Sequence, residues 1–266
     1  RIGLVTAWST NVSIYSIPNR EPDAYLGEQS ATDAVGRTLA STFGREVLDI
    51  PAGISFAMLV PVPVVRTVGL MDPVFGRGYC EETDWSQRCL EAGFRATLGL
   101  GAFVYHAGGG STVAAGLLAP GQTTVPSNER IIDARYPDFR SRVDRFCAAG
   151  ELQARQRQAV STIIDAALAG HAIDVCVGLR PVEPPPPAVS CDVVVDRARA
   201  SATINAYGFS ETLAGPSTEL AELLRRRIGP VAAVDMYDMG PWASRVADAL
   251  AGEAVVRRHR SYPARV

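Results

Sequence analysis

Three carboxylates lie close together in the first half of the chain. Glu81, Glu82 and Asp84 follow a glycine-flanked turn at the start of a predicted helix. The amides and the dipole of a helix N-terminus stabilise negative charge, whereas mutual repulsion raises the proton affinity of at least one carboxylate. Such a carboxylate can act as a general base. Acidic residues also favour the first turn of a helix for capping alone, and that explanation stays open at this point.

His106 is a second group that could do chemistry. It ends a predicted strand over 95–105 and precedes a glycine-rich loop over 107–112, from which an imidazole can face a cleft. The chain has three histidines, and no second ligand stands near His106 at the spacing of a metal site. A cation bound by His106 therefore needs ligands from elsewhere.

Hydrophobic spacing and the positions of glycine and proline predict the elements that carry these residues. The helix with the carboxylates is expected to begin with Thr83 or Asp84 as its cap, to contain an ion pair between Asp84 and Arg88, and to end at Gly93. We predict strands at 2–6, 47–50, 54–60, 95–105, 172–179, 192–196, 202–207, 231–236 and 254–257. We predict the other helices at 29–44, 62–68, 130–146, 152–168, 218–228 and 241–250.

The alternation of strands and helices predicts an α/β protein. Five prolines in residues 181–187 favour a stiff, extended segment and predict a linker. The expected organisation is a main domain over 1–150, an extension over 151–180, the linker over 181–187 and a small α/β domain over 188–266. The chain starts at Arg1, immediately before an apolar run that predicts a strand, so we expect sequence upstream.

Composition excludes several classes of protein. With 266 residues, 47% hydrophobic and 20% charged, the chain can bury a core and is not of the disordered or fibrous type. A net charge of −2 gives no field that would gather nucleic acid. Five cysteines without a CxxC pair fit neither a disulfide framework nor a structural zinc site. No apolar run is long enough to span a bilayer, and we expect a cytoplasmic protein, with the inner face of the membrane as a second possible location.

The combination of motifs resembles a known enzyme family. The segment Gly-Tyr-Cys-Glu-Glu-Thr-Asp-Trp-Ser-Gln-Arg over 78–88 is followed by Glu-Ala-Gly-Phe-Arg over 91–95 and by Val-Tyr-His with a Gly/Ser tail from 104. This series is similar to the C-terminal half of the catalytic domain in family 2 glycosyltransferases, which are inverting enzymes of the GT-A class. The resemblance covers about residues 2–160. It implies an incomplete, Rossmann-like GT-A domain, followed here by a small α/β unit.

The resemblance also implies roles for individual residues. Glu82 matches the position of the family's catalytic base, with glutamate in place of the usual aspartate, and Glu81 is the alternative base. Trp85, Tyr79 and Asp84 are expected on the acceptor-binding side, although core packing is an open alternative for both aromatic residues, and Asp84 could serve to position the helix.

For ligands, the resemblance implies a nucleotide-sugar donor, a saccharide or glycolipid acceptor, and a divalent cation, Mg²⁺ or Mn²⁺. His106 matches a histidine that contacts the cation or the diphosphate in some relatives. The Asp-x-Asp motif that binds the cation would lie upstream of Arg1 together with the donor half. We therefore expect the chain as it stands to be inactive and not to bind a sugar nucleotide tightly.

Two alternatives belong to other classes. The segment Gly53-Ile-Ser55-Phe-Ala57 nearly matches a nucleophile elbow, which would make Ser55 the nucleophile of a serine hydrolase. Alternatively, the part after Pro187 could be a non-catalytic module for carbohydrate binding or protein interaction.

Overall fold

The protein is described here from a computed structural model, which covers residues 1–76, 78–107, 125–169, 171–180, 187–237 and 240–259. The chain forms two compact units. The first contains Arg1–Pro18 and Leu26–Ala159, and the second contains Asn19–Tyr25 and Val160–Val266. Each unit has its own sheet, so the predicted α/β class is confirmed.

A four-stranded mixed sheet forms the centre of the first unit. Its strands are β1 Ile2–Trp8, β2 Val47–Asp49, β3 Met58–Leu59 and β4 Arg95–Phe103. Their spatial order is β2-β4-β1-β3, in which β1 and β4 are parallel and the two outer strands are antiparallel to their neighbours. The carboxyl ends of β1 and β4 therefore meet at one edge of the sheet.

Helices of ordinary length pack in the first unit. They are α2 Gln29–Phe43, α3 Val62–Val68, α4 Glu81–Glu91, α5 Pro126–Arg135, α6 Phe139–Ala148 and the first part of α7 Glu151–Leu168. The short helix α1, Pro22–Tyr25, belongs to the second unit. Helix α2 shows why the sequence folds this way: Ala31, Val35 and Leu39 recur every four residues and are all buried. The boundary between the two units falls within α7.

A six-stranded sheet forms the centre of the second unit. Its strands are β5 Ile173–Val177, β6 Val189–Asp196, β7 Arg199–Ala206, β8 Phe209–Pro216, β9 Val231–Met236 and β10 Val255–Arg258. The order is β10-β9-β5-β6-β7-β8, with four parallel strands followed by two antiparallel ones. Helices α8 Ser217–Ile228 and α9 Pro241–Ala251 contribute apolar residues to the core of this unit.

Several sequence predictions need correction. The extension and the small domain are not separate, because β5 and β6, which flank the proline-rich segment, are adjacent parallel strands of one sheet; residues 181–186 themselves lie outside the described residues. The strand expected at 54–60 is mostly a 3₁₀ turn, Ser55–Ala57, followed by two strand residues. The helix expected at 130–146 is two helices, because Pro137 has no backbone N–H to donate to the hydrogen bonds of a continuous helix. Strand β8 was not predicted.

No helix among the described residues has the length and apolar character needed to cross a membrane.

Two glycines of the first unit should respond oppositely to alanine. A Cβ at Gly101 on β4 would collide with the backbone carbonyl of Gly44, whereas a Cβ at Gly36 inside α2 meets nothing within 4 Å. We expect Gly101→Ala to lower the free energy of unfolding by about 1–3 kcal/mol and Gly36→Ala to raise it by about 0.5–1 kcal/mol. Urea denaturation of both variants measures this. Equal effects of the two substitutions would contradict the packing of β4 against the end of α2.

Candidate functional site

Helix α4 begins directly after two residues in the left-handed conformation. Tyr79 and Cys80 have φ angles of 69° and 77°, which costs a non-glycine residue about 1–3 kcal/mol each. Cys80 occupies the N-cap position without a side-chain cap. The predicted cap by Thr83 or Asp84 is therefore wrong, because the helix starts at Glu81 and both residues lie inside it.

Asn128 on α5 holds this strained turn in place. Its side-chain amide donates to the carbonyl oxygens of Phe75 at 2.9 Å, Gly78 at 3.1 Å and Tyr79 at 2.9 Å. The Asn128 side chain is buried, with 7% of the residue exposed. Because hydrogen bonds formed away from water resist replacement by solvent, this one amide ties the turn before Glu81 to the next helix of the unit.

Glu81 and Glu82 form a close pair of carboxyl groups in the first turn of α4. Burial, followed by the negative charge of Glu81, raises the pKa of Glu82 from 4.5 to about 7. The backbone amides of Glu82 and Cys80 donate to the Glu82 carboxylate and oppose this shift, whereas a hydrogen bond with the Glu81 side chain adds to it. One buried oxygen on each glutamate, Oε2, has no hydrogen-bond partner among the described residues. Glu82 therefore exchanges a proton near neutral pH, and each carboxyl group keeps one oxygen that can still accept a hydrogen bond.

Asp84 lies in the same turn of helix and has the opposite environment. It is fully buried and its two oxygens are occupied by Arg88 Nε at 2.9 Å, Arg135 Nη1 at 2.7 Å and the Tyr136 hydroxyl at 2.9 Å. The predicted pair of Asp84 and Arg88 is confirmed. The prediction that Asp84 binds an acceptor is wrong, since this carboxylate fastens α4 to α5 and to the segment after it.

The two aromatic residues expected in an acceptor pocket differ from each other. Trp85 is 3% exposed, and its indole nitrogen donates to the carbonyl of Gly69 at 2.8 Å. Trp85 is therefore a core residue that packs α4 against the end of α3, and its predicted contact with an acceptor is wrong. Tyr79 is partly exposed and directly precedes Cys80 in the strained turn, so it stays close to the glutamate pair.

His106 lies just beyond the end of β4. Its Nδ1 is 3.0 Å from the carbonyl oxygen of Asn11, and its ring packs against Phe56 with 5.4 Å between ring centres. Among the described residues, no group of three His, Cys, Asp or Glu side chains is arranged to hold a metal ion. The expected cation would take its other ligands from upstream of Arg1, so its binding at His106 stays a prediction. The glycine-rich tail beyond Ala107 lies outside the described residues.

His106 and the first turn of α4 lie toward the same edge of the first sheet. Helix α4 runs opposite to β1: Cys89 lies against Gly3, near the start of β1, and the Ser86 hydroxyl accepts from the backbone of Gly53, which packs on Leu4. The first turn, with Glu82, therefore lies toward the carboxyl end of β1. His106 reaches this edge because Val104 donates to the carbonyl of Trp8, the last residue of β1.

Ser55 does not have the geometry of a nucleophile elbow. It begins a one-turn 3₁₀ helix in place of a strand-to-helix turn, and it is not among the described residues with positive φ. An elbow needs that strained turn to expose the hydroxyl above the sheet. The nucleophile elbow predicted at Ser55 is therefore wrong, and the serine hydrolase alternative loses the motif on which it rested.

The structure adds three residues that the sequence did not single out, namely Asn128, Arg135 and Tyr136. All three lie on α5 or directly after it and act through contacts that no local spacing shows. Only the abundance of carboxylates in the first turn of α4 could have indicated that a cation such as Arg135 must lie nearby.

Comparisons with protein-family models, with curated proteins and with solved structures gave no match.

Replacing the buried carboxylate should destabilise the first unit. We expect Asp84→Asn to lower the free energy of unfolding by about 3 kcal/mol, because Arg135 and Arg88 lose a buried counter-charge. Asp33→Asn is the matched control, since Asp33 is exposed and lies 4.0 Å from Arg37, and its effect should stay below about 0.5 kcal/mol. Amide hydrogen exchange of β1 and β4 measures both. A similar decrease in the free energy of unfolding in both variants would contradict the anchoring role of Asp84.

Glu82 should make the free energy of unfolding of the first unit fall as the pH rises toward neutrality. Glu82 releases its proton near pH 4.5 when unfolded and near pH 7 when folded, so the folded state binds more protons between these values and is favoured by low pH. A difference of this size corresponds to roughly 3 kcal/mol lost between pH 4.5 and 7. The Glu82→Gln variant should lack this slope.

Hydrogen exchange of the first unit between pH 5 and 8, with Glu222→Gln on an exposed part of α8 as control, measures the difference. A Glu82→Gln variant with the slope of the unmodified protein would contradict the raised pKa.

Proposed function

We propose that the first unit is the acceptor side of an inverting glycosyltransferase, with Glu82 as the general base. The observation that carries this proposal is a half-buried carboxyl group with a pKa of about 7, held against a second carboxyl group at a helix N-terminus. The motif resemblance over residues 78–106 supplies the reaction class, and the geometry of the pair supports the base.

A base near neutrality suits this reaction. Glu82 is deprotonated in a substantial fraction of molecules at pH 7, yet it still binds a proton firmly enough to take one from a hydroxyl. A fully exposed glutamate is too weak a base for the same work. We assign the carboxyl group of the partly exposed Glu82 to the acceptor hydroxyl.

In the proposed step, the acceptor oxygen forms a bond to the anomeric carbon of the donor sugar while its proton passes to Glu82. The bond from that carbon to the donor's phosphate oxygen breaks, and the nucleoside diphosphate leaves from the opposite face with the electron pair. Inversion follows because entry and departure take place on opposite faces. The described residues form no cation site, and no step is assigned to a metal here.

Two residues near Glu82, namely Glu81 and Cys80, differ in what they contribute to this proposal. Glu81 keeps the proton affinity of Glu82 high through its charge and its hydrogen bond. The Cys80 thiol is not the nucleophile, because burial and the nearby glutamates Glu82, Glu129 and Glu81 raise its pKa to about 11, which leaves almost no thiolate at neutral pH.

Transfer assays on the full-length protein test this function. Nucleotide-sugar donors are paired with saccharide and glycolipid acceptors in the presence of Mg²⁺. Glu82→Gln should lower kcat by about 10²–10⁴-fold and leave the Kd of the donor unchanged. In the unmodified protein, kcat/KM should rise with pH up to about 7 and then level off, because only the deprotonated base acts.

Glu81→Gln is the matched control. It removes the neighbouring charge and should keep turnover while moving the rising limb of the pH profile to lower pH. Turnover by Glu82→Gln within tenfold of the unmodified protein would place the base elsewhere, and an unmoved limb in Glu81→Gln would contradict the coupling of the two glutamates.

A further inference from the structure

A row of polar residues crosses four parallel strands of the second unit. Asp192 on β6 lies beside Cys176 on β5, Cys176 lies beside Asp235 on β9, and Asp235 lies beside Arg257 on β10. Neighbours at the same register point to the same face of a sheet. The residues one position away, such as Val175, Val193 and Val234, belong to the apolar core on the other face. The sheet thus has one apolar face and one face that carries charged groups.

The row lies at a place where parallel sheets bind ligands. Strands β5 and β9 are neighbours in the sheet. The chain continues from β5 to β6 on one side and from β9 to β10 on the other side. The connections therefore leave β5 and β9 in opposite directions. In open parallel sheets, ligands bind outside the carboxyl ends of the strands at such a point. Arg180 follows β5, Tyr237 follows β9 and His259 follows β10, so three functional side chains stand at this edge.

Asp235 and Tyr237 fix the orientation of the His259 ring. The imidazole Nε2 lies 2.7 Å from Asp235 Oδ1, and the ring stacks on Tyr237 with 4.5 Å between centres and 10° between planes. A carboxylate on Nε2 favours a proton there and leaves Nδ1 as the nitrogen that can contact a ligand. Nδ1 donates an N–H when the ring is an imidazolium and accepts when the ring is neutral. His259 is about one-third exposed, with 38% of its side chain accessible, so a ligand can reach it.

Arg180 supplies a partly buried positive charge, with 22% of its side chain exposed, whose hydrogen-bonding capacity is only partly used. Its Nε donates to Asp192 Oδ1 at 2.7 Å, and Asp192 is held in turn by Asn205 at 3.4 Å. The Nη2 of Arg180 is buried and has no acceptor among the described residues. A guanidinium whose Nε is fixed by a carboxylate while its Nη2 lacks an acceptor is suited to an anionic oxygen.

We propose that this edge of the second unit binds a phosphate-bearing ligand, whose anionic oxygens are received by Arg180 Nη2 and His259 Nδ1. A phosphate fits better than a neutral ligand because Arg180 Nη2 and, in the imidazolium form, His259 Nδ1 offer N–H donors. Asp192 and Asp235 already hold the side chains that present them. Helix α9 begins at Pro241 shortly after β9, and its N-terminal dipole adds a favourable field for the same charge. This inference does not depend on the function proposed for the first unit.

Titration of the full chain with inorganic phosphate, pyrophosphate and uridine diphosphate, followed by amide chemical shifts and calorimetry, tests the proposal. We expect shifts around residues 178–180, 237 and 259, and weakening of binding by about tenfold or more in Arg180→Gln and in His259→Ala. Binding of phosphate and pyrophosphate as well as the nucleotide indicates that the phosphate group alone is recognised. Binding of the nucleotide only assigns additional contacts to the nucleoside.

Arg226→Gln is the control for charge, because Arg226 is exposed on α8 of the same unit and pairs with Glu222; it should bind like the unmodified protein. Should Arg180→Gln fail to fold, His259→Ala and Arg180→Lys, which keeps the charge and removes the planar fork, decide the matter. Absence of binding of all three probes at millimolar concentration would overturn the proposal, as would equal binding by the control and the site variants. Glu82→Gln should bind the probes normally, which separates this test from that of the transferase.

Discussion

One buried negative charge fixes the part of the first unit on which its proposed chemistry depends. Asp84 accepts from Arg88 on its own helix, from Arg135 at the end of α5 and from the Tyr136 hydroxyl. A fully buried carboxylate is stable only when such partners surround it, so the position of α4 and the fold of the segment over 126–136 require each other. The first turn of α4, with its two glutamates, is presented from this fixed base.

Two acids two residues apart therefore have opposite properties. Asp84 is surrounded by cations and a hydroxyl and serves structure, whereas Glu82 lies against another acid and has a pKa near 7. Environments that separate the properties of neighbouring acids are typical of sites where protons move. Tyr79 and Cys80 form a strained turn next to the glutamate pair, and Asn128 holds this turn in place. Strained backbone held by its surroundings is also typical of functional sites.

Local pattern predicted much of the fold and part of the site. Helix α2, strand β1 and the ion pair of Asp84 with Arg88 follow from spacing within a few turns. Strand β8 was missed because its alternation is weak and its outer face is polar, and the domain boundary was misplaced because proline content does not reveal that β5 and β6 pair. The anchoring of Asp84 by Arg135 could not be predicted, since it joins positions 51 residues apart. The hydrogen bond of Trp85 joins it to Gly69, 16 residues earlier in the chain, which local spacing does not show either.

The second unit is discontinuous in sequence, and this has a consequence for biosynthesis. The side chain of Asn19 donates to the carbonyl of Tyr207, 188 residues later, and the backbone of Arg20 donates to Gly208. At ordinary rates of translation, the ribosome needs about 10 to 40 s to produce the partner of Asn19. During that interval the segment over 19–25 remains without its sheet while the surrounding chain can already fold, so the nascent protein must tolerate an unfinished loop between β1 and α2.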